Sequence, residues 1–595
     1  MIRTSIKFTF SLVTMMICSS VVFGQVQSEQ GRIDKIRNVI EYLASDELGG
    51  RKSGEPGDSL SAMYIRKQFS DLGLQLLFNQ GLQEFSLISS VEMGVDNHMS
   101  FNDLKFTAKE DFLPYSFSGN NSLSASVAFA GYGFTINKDT LQWDDFQGID
   151  VKGKWVLLLK GDPDINNPSS PFALYAEERY KVLNAIDHGA AGVIFTGGPV
   201  FNEKDELQGM FYDKNSSTYD VPVLQVTRKV ADLILEKSGS TIAELEGYLN
   251  KNLMPKSFDS GQKIVAQADV VLKQVNTYNI VAMLPGTDPI LKNEYLVIGA
   301  HYDHLGVGGP GSGSRVLDTL AVHNGADDNA SGVSAVISVA ERAVLSGSNR
   351  RSLIFVAFGA EEMGLVGSTY FTANPPVDLK NVIAMINFDM VGRLDPNAPA
   401  LSIGGTKTSL ETEEILELLN PGFELSLSGE GTGPSDHAAF YMQDIPVFFI
   451  STGAHPDYHT PDDDADKLKY TGIMEVSNYA WRIIEEISGR DERLTFNEAG
   501  SKARRSTRGR MKVTLGVMPD FAGQEKNGLR IDAVTKGKPA YTAGILKGDI
   551  ITAINGNKVG NIYDYMNRMN TFEEGQTISI DVMRDGKPLV LIVQL

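Results

Sequence analysis

The sequence predicts an α/β protein in which a mostly parallel or mixed sheet carries helices on both faces, and three observations lead there. The chain has 595 residues, 42% of them hydrophobic, so at about 150 residues per domain it can build several independent cores. From Asn276 onward apolar runs alternate with amphipathic stretches, the rhythm of βαβ units. Side chains able to hold a metal stand just after those apolar runs, at the edge where open α/β sheets receive ligands.

Composition closes off other classes. Lys and Arg total 54 against 74 Asp and Glu, a formal charge of −20, and such a chain repels the phosphate backbone of nucleic acids. After residue 24 no apolar run approaches the roughly 20 residues that span a bilayer, so no membrane span is expected. Residues 1–24 themselves read as a signal peptide. Arg3 and Lys7 supply its basic start, 8–17 its apolar stretch, and Val22 with Gly24 the cleavage spacing, which implies export to the periplasm or beyond. Cys18, the only cysteine, lies in the segment that would be removed, and the bulky Ile17 before it argues against a lipid anchor. Any metal of the mature chain must then be held by His and carboxylates.

The elements follow in order. Ile33, Ile36, Val39, Ile40 and Leu43 stand at helical spacing, a glycine-rich turn occupies 49–57, and a second amphipathic helix is predicted over 59–72 before Gly73 stops it. From about 120 to 245 the texture changes to short β-rich runs (126–130, 154–159, 192–195) around one helical stretch, 177–188. That pattern predicts an insertion with its own core, bounded at 116–255. Strands are then expected at 295–299, 353–358, 382–388 and 446–450, and helices at 331–345, 409–419 and 472–487. Residues 491–510 crowd Lys502, Arg504, Arg505, Arg508 and Arg510 into a polar tract, read as a solvated linker. The segment 511–595 reads as a small separate module of short strands, one helix and Gly turns.

Six of the eight histidines fall between 301 and 459. The strand over 295–299 runs into Gly299-Ala-His301-Tyr-Asp303-His304, where a ring nitrogen can take a metal while the Asp two residues on orients the ring. Asp327 and Asp328 open the 331–345 helix, whose positive end favours an ionised carboxylate. Glu361 and Glu362 follow the 353–358 strand, and adjacent carboxylates on a loop point apart, so one can ligate while the other moves protons. Asp389 closes the 382–388 strand, and His459 follows the 446–450 strand. Each signal alone is weak, because HxD pairs, paired Glu and Asp caps are common. Their conjunction, in order and each after a strand, points to a metal centre.

These motifs, with Tyr42-Leu-Ala-Ser-Asp-Glu-Leu48, Gly49-Gly-Arg51 and Gly54, resemble the M28 family of zinc metallopeptidases over about 30–115 and 256–490. The resemblance implies a peptidase domain split between 25–115 and 256–490, two Zn²⁺ ions and peptide substrates. One zinc would sit on His301 and Asp389, the other on Glu362 and His459, with Asp328 bridging. Glu361 would be the general base, Asp303 would orient His301, and the peptide bond after Asp328 would be cis. Asp327, His304, His323, His437 and His455 match no ligand, and Asp436 with His437 is expected near the pocket wall. The insertion resembles a protease-associated (PA) domain through Ala128-Phe-Ala-Gly-Tyr132-Gly133, Asp150-Val-Lys-Gly153-Lys154 and Asn184-Ala-Ile-Asp-His-Gly189, which implies a wall or lid over the cleft. The terminal module resembles a PDZ domain of the bacterial protease type. Leu515-Gly516-Val517 would form its carboxylate-binding turn and helix 562–571 its groove wall, fitted to a protein C-terminus. An aminopeptidase is the leading expectation. A carboxypeptidase using Arg393, a single-zinc acyltransferase like glutaminyl cyclase, and a catalytically silent peptide-binding protein are the alternatives.

Overall fold

The computed structural model describes residues 28–499 and 513–595, apart from 139, 168–169, 214–216, 310, 317, 520–527 and 570. The expected signal peptide and the basic cluster 502–510 lie outside the described residues.

Four parallel strands occupy the middle of a nine-stranded mixed sheet, in the order Ser352–Phe358, Tyr295–His301, Val382–Phe388, Val447–Ser451. Beyond the first of them Val270–Leu284 runs antiparallel. On the other side Ala400–Gly404 runs antiparallel to Val447–Ser451 and carries Glu424–Leu427 at the margin. Strands buried on both faces read as continuous apolar runs, and every residue of Ser352–Phe358 and Val382–Phe388 is buried. Alternation then divides the side chains between two cores. Leu296, Ile298, Leu353 and Phe355 meet the helices Glu29–Leu43, Gly332–Ser346 and Tyr470–Gly489, through residues such as Ile40, Val336 and Ile484. Val297, Ile354, Val356 and Phe358 meet Phe371, Phe440 and Tyr441 of Val366–Ala373 and His437–Tyr441 on the opposite face. The expected sheet with helices on both faces is the one observed.

A second sheet of eight strands extends beyond the 116–255 segment. It takes in His98–Phe101, Leu104–Phe106 and Phe112–Pro114 from before that segment and Ser257–Gln267 from after it. The reason is a long antiparallel pair, Leu82–Met93 on Val270–Leu284, with Leu82 opposite Ile280 and Met93 opposite Val270. This pair carries the chain out of the nine-stranded sheet and back, so the flanks beyond it fold with the insertion. Two helices, Arg228–Leu235 and Ile242–Asn252, stand where only β-rich runs were expected. Val230, Ile234, Leu245 and Leu249 bury their apolar faces. Thr241 and Glu244 close a capping box at the start of the second, a signal legible in the sequence.

The terminal module has its own core around Leu515, Ile531, Ile551, Ile580 and Val593. It touches both other bodies. Arg568 forms a two-pronged ion pair with Asp187, Lys558 lies 3.3 Å from Asp220, and Lys547 Nζ donates to Gln443 Oε1 at 2.6 Å. No helix among the described residues is long and apolar enough to cross a membrane.

Candidate metal centre

The parallel strands deliver their successors to one edge of the sheet. His301 is the last residue of its strand, Asp389 follows Val382–Phe388 directly, and Glu361 and Glu362 stand past Gly359 and Ala360 after Ser352–Phe358. His459 comes from the loop after Val447–Ser451, with a left-handed φ of 56°. Asp328 sits in the wide turn Ala326–Ser331 ahead of the Gly332–Ser346 helix, and its own backbone is not helical. The Asp328–Asn329 peptide is cis, as expected.

These side chains meet. His301 Nε2 lies 3.2 Å from Asp328 Oδ1 and 3.5 Å from Asp389 Oδ1. His459 Nε2 lies 3.1 Å from Asp328 Oδ2 and 3.2 Å from Glu362 Oε1. Asp328 therefore turns one oxygen to each imidazole and stands between two ligand-type pairs. Glu361 Oε2 lies farther out, 3.9 Å from His301 Nε2. The Asp303 carboxylate stands 3.8 Å from His301 Nδ1, whose nearer partner is the Asp303 main-chain carbonyl at 3.2 Å. The carboxylate accepts instead from the amides of Glu361 (2.9 Å) and Glu362 (3.2 Å) and from the Ser53 hydroxyl. It thereby sets the loop that spreads the two glutamates.

Of the histidines that match no ligand, His304 does enter the cluster, with Nδ1 3.0 Å from Glu362 Oε1. His455 pairs with Asp327 at 3.2 Å, His323 with the Ser314 hydroxyl at 2.8 Å, and His437 stacks on Phe449. Two supports were given no role from the sequence, although Arg51 stands in one of its motifs. Asp463, buried within the run Asp462-Asp463-Asp464, accepts from the amides of both Asp327 (2.9 Å) and Asp328 (3.0 Å). Arg51, fully buried, donates to the carbonyls of Leu43, Tyr302, Asn324 and Gly325 and so ties the glycine-rich turn to the loops that carry His301 and Asp328.

The electrostatics are those of a cation site. Burial opposes charge on His301 and His459, yet the surrounding carboxylates outweigh it, raising His301 well above the ordinary range and His459 to about 10. Burial likewise opposes charge on Asp328, but its bonds to the two rings hold it well below the usual carboxylate range. Four carboxylates and three imidazoles thus converge in a pocket that draws positive charge to its centre. Ligand atoms of His301, Asp328 and Asp389, and of His304, Asp328 and Glu362, lie within 4.8 Å of one another. Nitrogen and oxygen donors in these numbers fit a divalent metal such as zinc.

Residues 279–484 match the family model for peptidase family M28, 121–234 that for the PA domain and 513–595 that for the PDZ domain. A protein of Pseudomonas aeruginosa named Aminopeptidase is 32% identical over 439 residues, covering 70% of this chain and 69% of that one. The chain belongs to peptidase family M28. This M28 chain is also 23% identical over 472 residues to Aminopeptidase YwaD of Bacillus subtilis, covering 78% of this chain and 86% of that protein. Among solved structures, BSAP, a zinc aminopeptidase from Bacillus subtilis, matches with 22% identity and a TM-score of 0.45 over 76% of this chain and 94% of its own.

Proposed function

We propose that this M28 member is an exported di-zinc aminopeptidase that releases N-terminal residues from peptides. The observation that carries the reading is the placement of Asp328, with one oxygen toward His301 and Asp389 and the other toward His459 and Glu362. His301 and Asp389 would hold one ion, Glu362 and His459 the other, and Asp328 both. When bound, paired zinc supplies an acidified water and a positive field for the oxyanion of a tetrahedral intermediate. Glu361 stands beside this set without the short ring contacts of Glu362, so it is free to take the water proton and return it to the leaving amine. Asp303 keeps the two glutamates in these separate roles through their amides. Export rests on the reading of residues 1–24 as a signal peptide.

Amine rather than carboxylate recognition follows from where the cations are spent. Arg393 pairs with Asp457 and Asp463, each at 3.1 Å, and Arg51 is occupied by four main-chain carbonyls. Neither is placed to hold a substrate's terminal carboxylate, whereas a carboxylate-lined pocket suits an ammonium. Both named relatives are called aminopeptidases, which supports the same reading. In this reading the inserted PA domain walls the cleft, and the PDZ groove takes an extended C-terminus by strand addition. The test compares one short peptide in free, N-acetylated and C-amidated forms with zinc-loaded protein. Acetylation should abolish release and amidation should leave it intact. The reverse pattern would make the protein a carboxypeptidase, and no hydrolysis of any form would leave a peptide-binding protein.

A further inference from the structure

We propose that His304 is a positioning residue for the second metal position, donating from Nδ1–H to Glu362 Oε1 so that this oxygen presents its other lone pair to the ion; the inference rests on the two-metal reading above. His304 and His459 are placed differently toward the same carboxylates. His459 Nε2 is nearly equidistant from Asp328 and Glu362, at 3.1 and 3.2 Å, an arrangement open to an ion shared by all three. His304 Nδ1 is skewed, at 3.0 Å from Glu362 but 3.9 Å from Asp328, the geometry of a hydrogen bond to one carboxylate.

Proton positions follow from the partners. A carboxylate only accepts, so the nitrogen facing Glu362 must carry the hydrogen. His304 Nε2 is buried without a hydrogen-bond partner among the described residues, so the contact with Glu362 is the ring's one hydrogen bond there. His459 has the opposite arrangement. Its Nδ1 faces the Gly313 carbonyl at 3.0 Å, which fixes the ring so that Nε2 is the nitrogen available to an ion.

The surroundings hold His304 in place. Its side chain is fully buried, and its amide donates to the Arg51 carbonyl. Gly325 packs against the ring so closely that a Cβ there would lie 2.6 Å from it. The segment after the Tyr295–His301 strand thereby serves both metal positions. His301 faces one, His304 buttresses the other, and Asp303 between them spaces the glutamates.

Zinc binding by the full chain tests this. His304→Asn keeps a donor near the Nδ1 position, whereas His304→Gln, equally polar, places its amide near the Nε2 position instead. In chelator competition the parent should bind two zinc ions. His304→Gln should weaken one of them about 10- to 100-fold and leave the other unchanged, as loss of a partner to a ligand does, while His304→Asn should restore parental affinity. Melting curves of the two variants without metal should coincide, so that a folding defect is told apart from a metal defect. A parental affinity in His304→Gln would overturn the proposal, as would an His304→Asn as weak as Gln, which would make the ring itself a ligand. A parent chain that binds fewer than two ions would instead remove the two-metal reading, before any variant is compared, and the role of His304 with it.

Discussion

Glu361 and Glu362 are neighbours in sequence with opposite surroundings. Glu362 shares one oxygen between His304 and His459, whereas Glu361 has its nearest ring nitrogen at 3.9 Å. Burial pushes the Glu361 carboxyl well above its ordinary range, and Glu362, Asp436 and Asp389 add to the effect against the pull of His301. These surroundings support the proposed role of proton carrier over that of ligand. Glu361→Gln should therefore keep parental zinc content while kcat on a free-amine peptide falls by about 10²- to 10⁴-fold, the share general-base catalysis contributes. Metal analysis alongside steady-state kinetics checks it, and zinc lost in step with activity would make Glu361 a ligand.

Elements act by how closely they can approach. The short turn Asp46–Leu48 lies against the first turn of the Pro56–Asp71 helix, and a Cβ at Gly57 would stand 1.7 Å from the Leu48 carbonyl oxygen. Between those two elements lie Arg51 and Ser53, which bond to the loops of the metal centre. Gly57→Ala should force them apart at a cost of about 1–3 kcal/mol, as overpacking does. Thermal melting should show the loss, and a parental melting curve would mean that the turn yields freely. The helices Arg228–Leu235 and Ile242–Asn252 teach a related lesson about legibility. Their apolar residues are read from sequence as readily as β-rich runs, and only the caps at Thr227 and Thr241 distinguish them.

At the scale of the molecule, the PDZ module bridges the other two bodies through a few contacts at its margin. The Arg568–Asp187 and Lys558–Asp220 pairs are partly or largely exposed, and such pairs contribute about 0–1 kcal/mol each. The side chains that converge on the candidate metal centre lie between residues 301 and 459, with supports as far as Arg51 and Asp463 but none from the described residues of the PDZ module. A chain ending at Arg510 should accordingly turn over a short free-amine peptide at essentially the parental rate. A folded truncation without activity would show that the module completes the site.

The sequence by itself determined the α/β class, the four parallel strands at the middle of the large sheet with the Gly332–Ser346 and Tyr470–Gly489 helices, and five of the side chains that converge at their edge, but not the Val366–Ala373 and His437–Tyr441 helices or the strands Ala400–Gly404 and Glu424–Leu427. Each of those depends on periodicity or on a residue type standing just past an apolar run, and both are local properties of the chain. The cis bond after Asp328, by contrast, came from family resemblance. Tertiary structure decided the rest. That the Asp303 carboxylate spaces the glutamates while its carbonyl meets His301, that Asp463 holds the amides of Asp327 and Asp328, and that His304 reaches Glu362 while His455 and His323 do not are all matters of how the folded segments approach one another. The reach of the second sheet beyond 116–255 has the same origin, since pairing between Leu82–Met93 and Val270–Leu284 joins residues nearly two hundred positions apart. Such pairings leave no local pattern, because a hydrogen bond or ion pair is set by where the packed core brings its two ends.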